Sequence, residues 1–254
     1  MNTAPTVCVV VIPAHNEAAT LPAALRSVRT AARHPALTGI RVLTVVTADD
    51  CGDDTAAVAR ALGAHVVGIL RRNVGAARAA GVARALDILR HHRDGVWIAS
   101  TDADTVVPAH WLAHQLHHAR GGWDCVVGTV RLAPHPSLAA AVAARHDAGY
   151  FAGRPSAAGG WSHPHVHGAN LGVAAASYHR VGGFPELRHS EDRALVAALE
   201  RAGRRIVRTD QCPVLTSGRT TPRAPYGLGA LLASTAQDLP GSGHGRRGPA
   251  VAPS

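Results

Sequence analysis

Lysine is missing from this chain: all 26 of its Lys and Arg positions are arginine. Against 17 Asp and Glu residues they leave a formal net charge of +9, which invites a nucleic-acid reading. Aromatic residues, however, make up only 4 % of the 254 residues, and the arginines are scattered. Single-strand binding needs aromatic platforms beside a basic track, so that class is set aside. The positive excess suits an anionic substrate or peripheral contact with a membrane surface instead.

Cysteine is scarce as well. Cys8, Cys51, Cys125 and Cys212 form no CxxC pair and no disulfide-like spacing, and a reduced, cytoplasmic protein is expected. Long apolar runs are also lacking. Val7–Ile12 is far shorter than a signal-peptide core or the roughly 18 residues of a membrane span, so no integral membrane segment is expected.

What is present is an alternating strand and helix rhythm. Val7–Ile12 is a continuous β-branched run, the pattern of a strand covered on both faces of a parallel sheet. Helical spacing follows over 17–34, then a strand at 41–47, a helix at 53–62, a strand at 65–70, a helix at 75–90 and a strand at 96–99. Beyond Pro108, which suits the first turn of another helix, the order loosens. Strands are expected at 125–130, 170–174, 205–208 and 213–216, and helices at 138–148, 177–181 and 191–201. The class is α/β, with a mostly parallel central sheet flanked by helices. A single domain is expected over 1–239, and the Gly, Pro, Ser and Arg composition of 240–254 predicts a disordered tail.

Acidic or glycine-containing segments recur where these strands run out: IPAHNE (12–17), ADDCGDDT (48–55), STDADT (100–105) and HSED (189–192). Carboxylates at the carboxyl ends of successive strands describe one crevice. Asp49 is placed to accept from the base or ribose of a nucleotide, with Glu17 closing the same pocket. The alternative is an ordinary turn with Asp53 or Asp54 capping the next helix. In RRNVGAARAAG (71–81), Gly75 can bring backbone close to a phosphate, with Arg71, Arg72 and Arg78 supplying charge; tight helix packing explains the same small residues. Asp102 and Asp104, two apart in an extended segment, point to one side and can converge on one divalent ion, or on one ion and a sugar hydroxyl. A solvated, helix-capping turn is the rival. Glu191 and Asp192 either complement a helix N-terminus or supply a general base. His163, His165 and His167 alternate in WSHPHVHG, a zinc-like spacing that chance also yields among 17 histidines; one of them completing a metal shell with Asp104 is a further option.

The ordered set resembles family 2 glycosyltransferases of the GT-A fold. IPAHNE is similar to that family's first-strand signature, ADDCGDDT to its second acidic block, STDADT to its DXD motif, and 169–192 to the segment leading into its Glu-Asp pair. The resemblance runs over about 7–200. It implies a Rossmann-like nucleotide-sugar half (about 7–130) and an acceptor half (131–239). It implies that Pro13, Glu17 and Asp49 line the nucleotide pocket, that Asp102 lies near ribose or donor sugar, and that Asp104 coordinates Mg²⁺ or Mn²⁺ on the diphosphate. Asp192 is then the base of an inverting transfer, and a UDP-sugar is the favoured donor. Cys51 and Gly52 depart from the Ser or Thr usual in the second block. The Q-x-x-R-W motif of processive synthases is absent, which implies a single transfer.

Three other readings stay open at this level: a retaining transferase, a nucleotidyltransferase on a similar sheet, and a noncatalytic nucleotide-sugar-binding scaffold. The glycines and prolines of 153–168 suggest a mobile lid over donor and metal.

Overall fold

The computed structural model describes residues 4–90, 95–156, 160–220 and 228–237. The N-terminal half follows the rhythm read from the sequence. Strands β1 (Val7–Ala14), β2 (Arg41–Asp49), β3 (His65–Ile69) and β4 (Val96–Ser100) lie in parallel in the order β3-β2-β1-β4. The chain moves outward from β1 through β2 to β3 and then returns to the other side of β1, so the strand order switches between β1 and β4. In open α/β sheets ligands bind past the carboxyl ends of the strands at such a point.

The runs are apolar on both faces because both are covered. Val7, Val9 and Val11 join a core with Val82, Ala85 and Leu89 of helix α3 (Val74–Ile88) and with Leu195 and Leu199 of α7 (Glu191–Arg201). Cys8, Val10 and Ile12, equally buried, turn to the opposite face. Helices α1 (Leu21–Ala32) and α4 (Trp111–Arg120) pack on each other there, and α1 also meets α2 (Thr55–Ala61). Pro22 in the first turn fits α1, whose buried stripe is Leu21, Ala24, Leu25, Val28 and Ala31.

The rest of the sheet is mixed. After the two-residue β5 (Thr105–Val106) and α4, β6 (Cys125–Ala133) runs parallel to β4, separated from it by the antiparallel β7 (Leu171–Ala174). The two short strands expected at 205–208 and 213–216 are one strand, β8 (Ile206–Ser217), parallel to β6 and edged by β5. A register shift at Gly128/Val130 interrupts the β6–β8 ladder. The Asn170 amide repairs it, donating 2.9 Å bonds to Thr129 O and Cys212 O and accepting from Trp111 Nε1 at 2.9 Å. Helix α6 (Ala175–Arg180) links β7 to the loop before α7.

The single domain expected over 1–239 resolves into two compact units, because α5 (Ala140–Tyr150) and α8 (Leu228–Gln237), distant in sequence, pair with each other. One unit holds 1–133 and 154–217, the other 134–153 and 218–254; the tail from 240 lies outside the described residues. The mobile lid expected at 153–168 is, over 160–168, an anchored strap. Trp161 N donates to Asp210 Oδ1 at 2.9 Å, and Arg154 Nε to Asp210 Oδ2 at 2.7 Å. His163 is fully buried, with Nε2 facing Val127 O and Thr209 O, each at 3.2 Å. Carbonyls only accept, so Nε2 carries a proton. Residues 157–159 of that segment lie outside the described set.

Buried histidines give the fold a pH limit. On α4, His114 Nε2 and His118 Nε2 are buried without a hydrogen-bond partner among the described residues. Burial, aided by neighbouring histidines, lowers His114 from 6.5 to about 4 and also lowers His118. Burial lowers His163 as well, against its two carbonyl contacts. A base whose folded pKa is depressed binds its proton more readily when unfolded, so its contribution is complete above pH 6.5 and lost as pH falls toward about 4. The melting temperature of the protein should therefore fall steeply across that window, and His114→Gln should flatten the slope; an unchanged slope would mean that His114 does not carry it.

Candidate active site

The turns beyond the strands share one backbone peculiarity. Among the described residues four non-glycine residues have positive φ: Asn16 (54°), Asp50 (50°), Arg72 (47°) and Ser190 (62°). They follow β1, β2 and β3 and precede α7, all bordering the same crevice. Each such residue costs about 1–3 kcal/mol and persists only where surrounding contacts dictate it.

Those contacts are visible. After β1, Asn16 N donates to Cys51 Sγ (3.4 Å), Glu17 N to Thr55 Oγ1 (2.8 Å) and Ala18 N to Asp53 Oδ2 (3.0 Å), while Gly52 N donates back to Asn16 Oδ1 (2.8 Å). The unusual Cys51 thus takes the amide that a hydroxyl would take. Asp53, rather than Asp54, caps α2, accepting from Thr55 N at 3.0 Å. Glu17 is buried and accepts from Thr20 Oγ1 at 2.6 Å; Pro13 is half-buried on β1 opposite Thr47.

Asp49 is buried at the end of β2, and its carboxylate gathers the β3–α3 turn. Oδ1 accepts from Arg71 N (2.7 Å) and Arg72 N (2.9 Å), and Oδ2 from Asn73 N (2.8 Å). Arg72, in turn, pairs with Asp50. Gly75 does not bring its backbone to a phosphate. Gly75 packs on the backbone before α7, where a Cβ would lie 2.0 Å from Pro185 O, and its amide donates to Leu187 O at 3.2 Å. Ala76 N is capped by Asn73 Oδ1 at 3.0 Å. The small residues serve helix packing, and the amides of Gly75 and Ala76 are already taken.

Arg78 departs most from expectation. Expected at the donor phosphate, it is 3 % exposed, and its donors go elsewhere: Nε to Glu191 Oε1 (2.9 Å), Nη1 to Ser100 Oγ (2.5 Å) and Nη2 to Asp102 Oδ1 (2.6 Å). One guanidinium thus ties the end of β4 and the DAD loop to the start of α7. Burial works against its charge, but Asp102, Glu191 and Asp192 outweigh it and hold the pKa above the ordinary range. At Glu191, 4 % exposed, burial is the larger effect and raises the carboxyl against the pull of Arg78.

Asp192, next in sequence, is only half-buried. Its Oδ2 accepts from Gly168 N at 2.7 Å, which fastens the strap to α7. Gly168 also covers Arg78: a Cβ there would lie 2.3 Å from Nη2. Asp104 is half-buried, with Thr216 Oγ1 of β8 at 3.5 Å from Oδ1; Thr105 N donates to Asp102 O at 3.2 Å, so the DAD segment is a turn and not the extended stretch expected. His165 and His167 stand in the strap, ring-stacked in a ladder with His163 at 5.9 and 6.2 Å between centroids. The rings run parallel and do not converge. Among the described residues no group of three or more His, Cys, Asp or Glu side chains is placed to hold a metal, so neither the zinc reading nor a histidine joining Asp104 gains geometric support.

The structure therefore brings Arg78, Asp102 and Glu191 into direct contact, attaches Asp192 through Gly168, and sets Pro13, Glu17 and Asp49 in the adjoining turns. Ser100, Gly168, Ser190 and Thr216 were not singled out from the sequence. One signal for the hub was present. Arg78 has Val74, Gly75, Gly81 and Val82 at helical neighbour positions, a lone charge on an apolar face that demands buried partners.

An open, mainly parallel sheet, with an acidic loop past β4 and a Glu-Asp pair opening α7 at the same crevice, defines the GT-A class of nucleotide-sugar transferases. The chain belongs to glycosyl transferase family 2, whose profile matches residues 9–181. Similar solved structures include a mannosyltransferase, PcManGT from Pyrobaculum calidifontis, in complex with GDP-Man and Mn²⁺ (20 % identity, TM-score 0.57, covering 83 % of this chain and 56 % of that one). S. aureus TarS in complex with UDP-GlcNAc (13 %, 0.59, 92 % and 67 %) and GalNAc-T7 with UDP, GalNAc and Mn²⁺ (14 %, 0.61, 87 % and 46 %) share the fold as well. At these identities the likeness is one of fold. No curated protein sequence matches the chain significantly.

Gly168→Ala tests the hub without removing a charge. The added methyl, 2.3 Å from Arg78 Nη2, must push the guanidinium off Asp102. Turnover of a nucleotide-sugar donor should fall about a hundredfold, as expected for a displacement near 1 Å in a site, with the fold retained by circular dichroism; wild-type turnover would show that the packing tolerates the shift.

Proposed function

We propose that this chain is a nonprocessive, metal-dependent glycosyltransferase that moves a sugar from a nucleotide-diphosphate donor to an acceptor hydroxyl with inversion. The observation that carries this reading is the bridge from Asp102 through Arg78 to Glu191, which sets the DAD loop and the Glu-Asp pair at one crevice. Pro13, Glu17 and Asp49 form the nucleotide side of it. Asp49 retains acceptor capacity for a base N–H or a ribose hydroxyl, because a carboxylate has about four lone-pair sites and three are engaged by backbone amides.

Asp192 is the base. It is half-buried and held in place by Gly168 N, whereas Glu191 is sealed behind it against Arg78. Asp192 takes the proton of the acceptor hydroxyl as that oxygen bonds to the anomeric carbon. The bond from that carbon to the diphosphate breaks, and the nucleoside diphosphate leaves with the electron pair.

Asp104 fits a divalent ion. Mg²⁺ and Mn²⁺ sites of this kind take one or two carboxylates and complete the shell with phosphate oxygens, which agrees with a half-exposed Asp104 beside an Asp102 already committed to arginine. When bound, the ion neutralises charge on the departing diphosphate. PcManGT and GalNAc-T7, whose structures contain Mn²⁺, support that assignment, and the UDP in GalNAc-T7 and UDP-GlcNAc in TarS favour a UDP-sugar.

Two variants separate the roles. Asp104→Ala should abolish the Mn²⁺-dependent part of UDP binding measured by calorimetry; undiminished metal dependence would remove Asp104 as ligand. Asp192→Asn should lower kcat about 10²–10⁴-fold with donor affinity unchanged, and loss of donor affinity alone would show that Asp192 is not the base.

A further inference from the structure

Carboxylates are missing from several stretches of the chain, and two of these stretches are neighbours in the fold. Residues 18–48 carry Arg26, Arg29, Arg33 and Arg41, and residues 105–123 carry Arg120, with no Asp or Glu in either. The fold brings the two together, since α1 and α4 pack on each other and Arg120 Nη2 reaches Ala36 O at 3.4 Å. Arg26, Arg29 and Arg33 lie at helical spacing opposite the buried stripe of α1 and are exposed, as are Arg41 and Arg120. Among the described residues none of these five forms an ion pair, whereas Arg72, Arg78, Arg84, Arg90, Arg154 and Arg208 do.

Arginine in a last helical turn complements the helix dipole, which accounts for Arg29 and Arg120. It does not account for Arg26 in the body of α1, or for Arg41 at the start of β2. We infer that the outer face of α1, together with the end of α4 and the start of β2, docks on an anionic lipid surface. The inference does not rest on the transferase reading.

Three observations favour lipid headgroups over other polyanions. Residues 18–48 contain no aromatic side chain; in 105–123, Trp111 is fully buried and Trp123 lies under Arg205, 4.8 Å from its ring centre. No stacking platform for nucleic-acid bases is therefore offered. Residues 18–48 include no exposed large hydrophobic side chain and 105–123 include only Val106, so no cluster of apolar anchors for a protein interface is offered. A diffuse basic face suits headgroups that need only charge. Arg41 opens β2 at the amino-terminal end of the parallel strands, opposite the crevice, so docking there leaves the crevice open.

The full chain is sedimented with vesicles of phosphatidylcholine alone or mixed with phosphatidylglycerol, over a range of ionic strength. Wild type should bind the phosphatidylglycerol vesicles only, and progressively less as salt rises. Arg26→Gln/Arg29→Gln/Arg33→Gln should weaken binding about a hundredfold, about fivefold for each arginine near the surface. Arg84→Gln/Arg90→Gln, which alters surface arginines paired with Asp87, should bind like wild type. Arg26→Gln alone should show about the single fivefold step and keeps the test valid if the triple variant folds poorly. Absence of wild-type binding, equal binding of the triple variant, or tighter binding to a single-stranded oligonucleotide than to the vesicles would each overturn the assignment.

Discussion

The buried guanidinium of Arg78 is the constraint around which the crevice is arranged. A charge taken out of water must be paired and its donors satisfied, or it costs several kcal/mol. Arg78 sits in the second turn of α3 with apolar and small residues on its own helix face, so its partners have to come from elsewhere. They arrive from the end of β4, the DAD loop and the first residue of α7. Those segments are 22 to 113 residues away in sequence. Their convergence is therefore a tertiary requirement of one side chain.

The same logic divides labour between neighbouring carboxylates. Glu191 and Asp102 answer the arginine, while Asp192 and Asp104, one and two residues along, keep half-exposed positions beside the crevice. The strained turns at Asn16, Asp50, Arg72 and Ser190 are the backbone counterpart. At Asn16 the neighbouring amides are engaged by Cys51, Thr55 and Asp53, at Arg72 by Asp49, and Asp50 N donates to Ile69 O. Strand order supplies the location, and these local bonds supply the rigidity.

The N-terminal half was legible because parallel strands covered on both faces leave unbroken β-branched runs, as in Val7–Ile12, with acidic turns at their ends. Legibility fails where the signal is non-local. β5 has two residues and no pattern of its own, and the strands expected at 205–208 and 213–216 are joined into β8 by the β6 partner and the Asn170 amide. The glycines of 160–168 read as mobility, yet Gly168 is there because Arg78 leaves no room for a Cβ. Motif positions singled out Asp102 and Glu191, which meet at Arg78. They could not foretell that Arg78 faces inward, since that depends on three partners from other segments.

The most direct measurement is a double-mutant cycle on Arg78 and Glu191, read in unfolding free energy and in donor turnover together. Arg78→Met alone should destabilise by about 3–5 kcal/mol, because it strands a buried carboxylate. Arg78→Met/Glu191→Leu should recover most of that loss while turnover stays low, because an apolar pair can fill the space but cannot hold Asp102. If the two single penalties simply add, or if the double variant regains turnover, the ion pair is not what holds the crevice together.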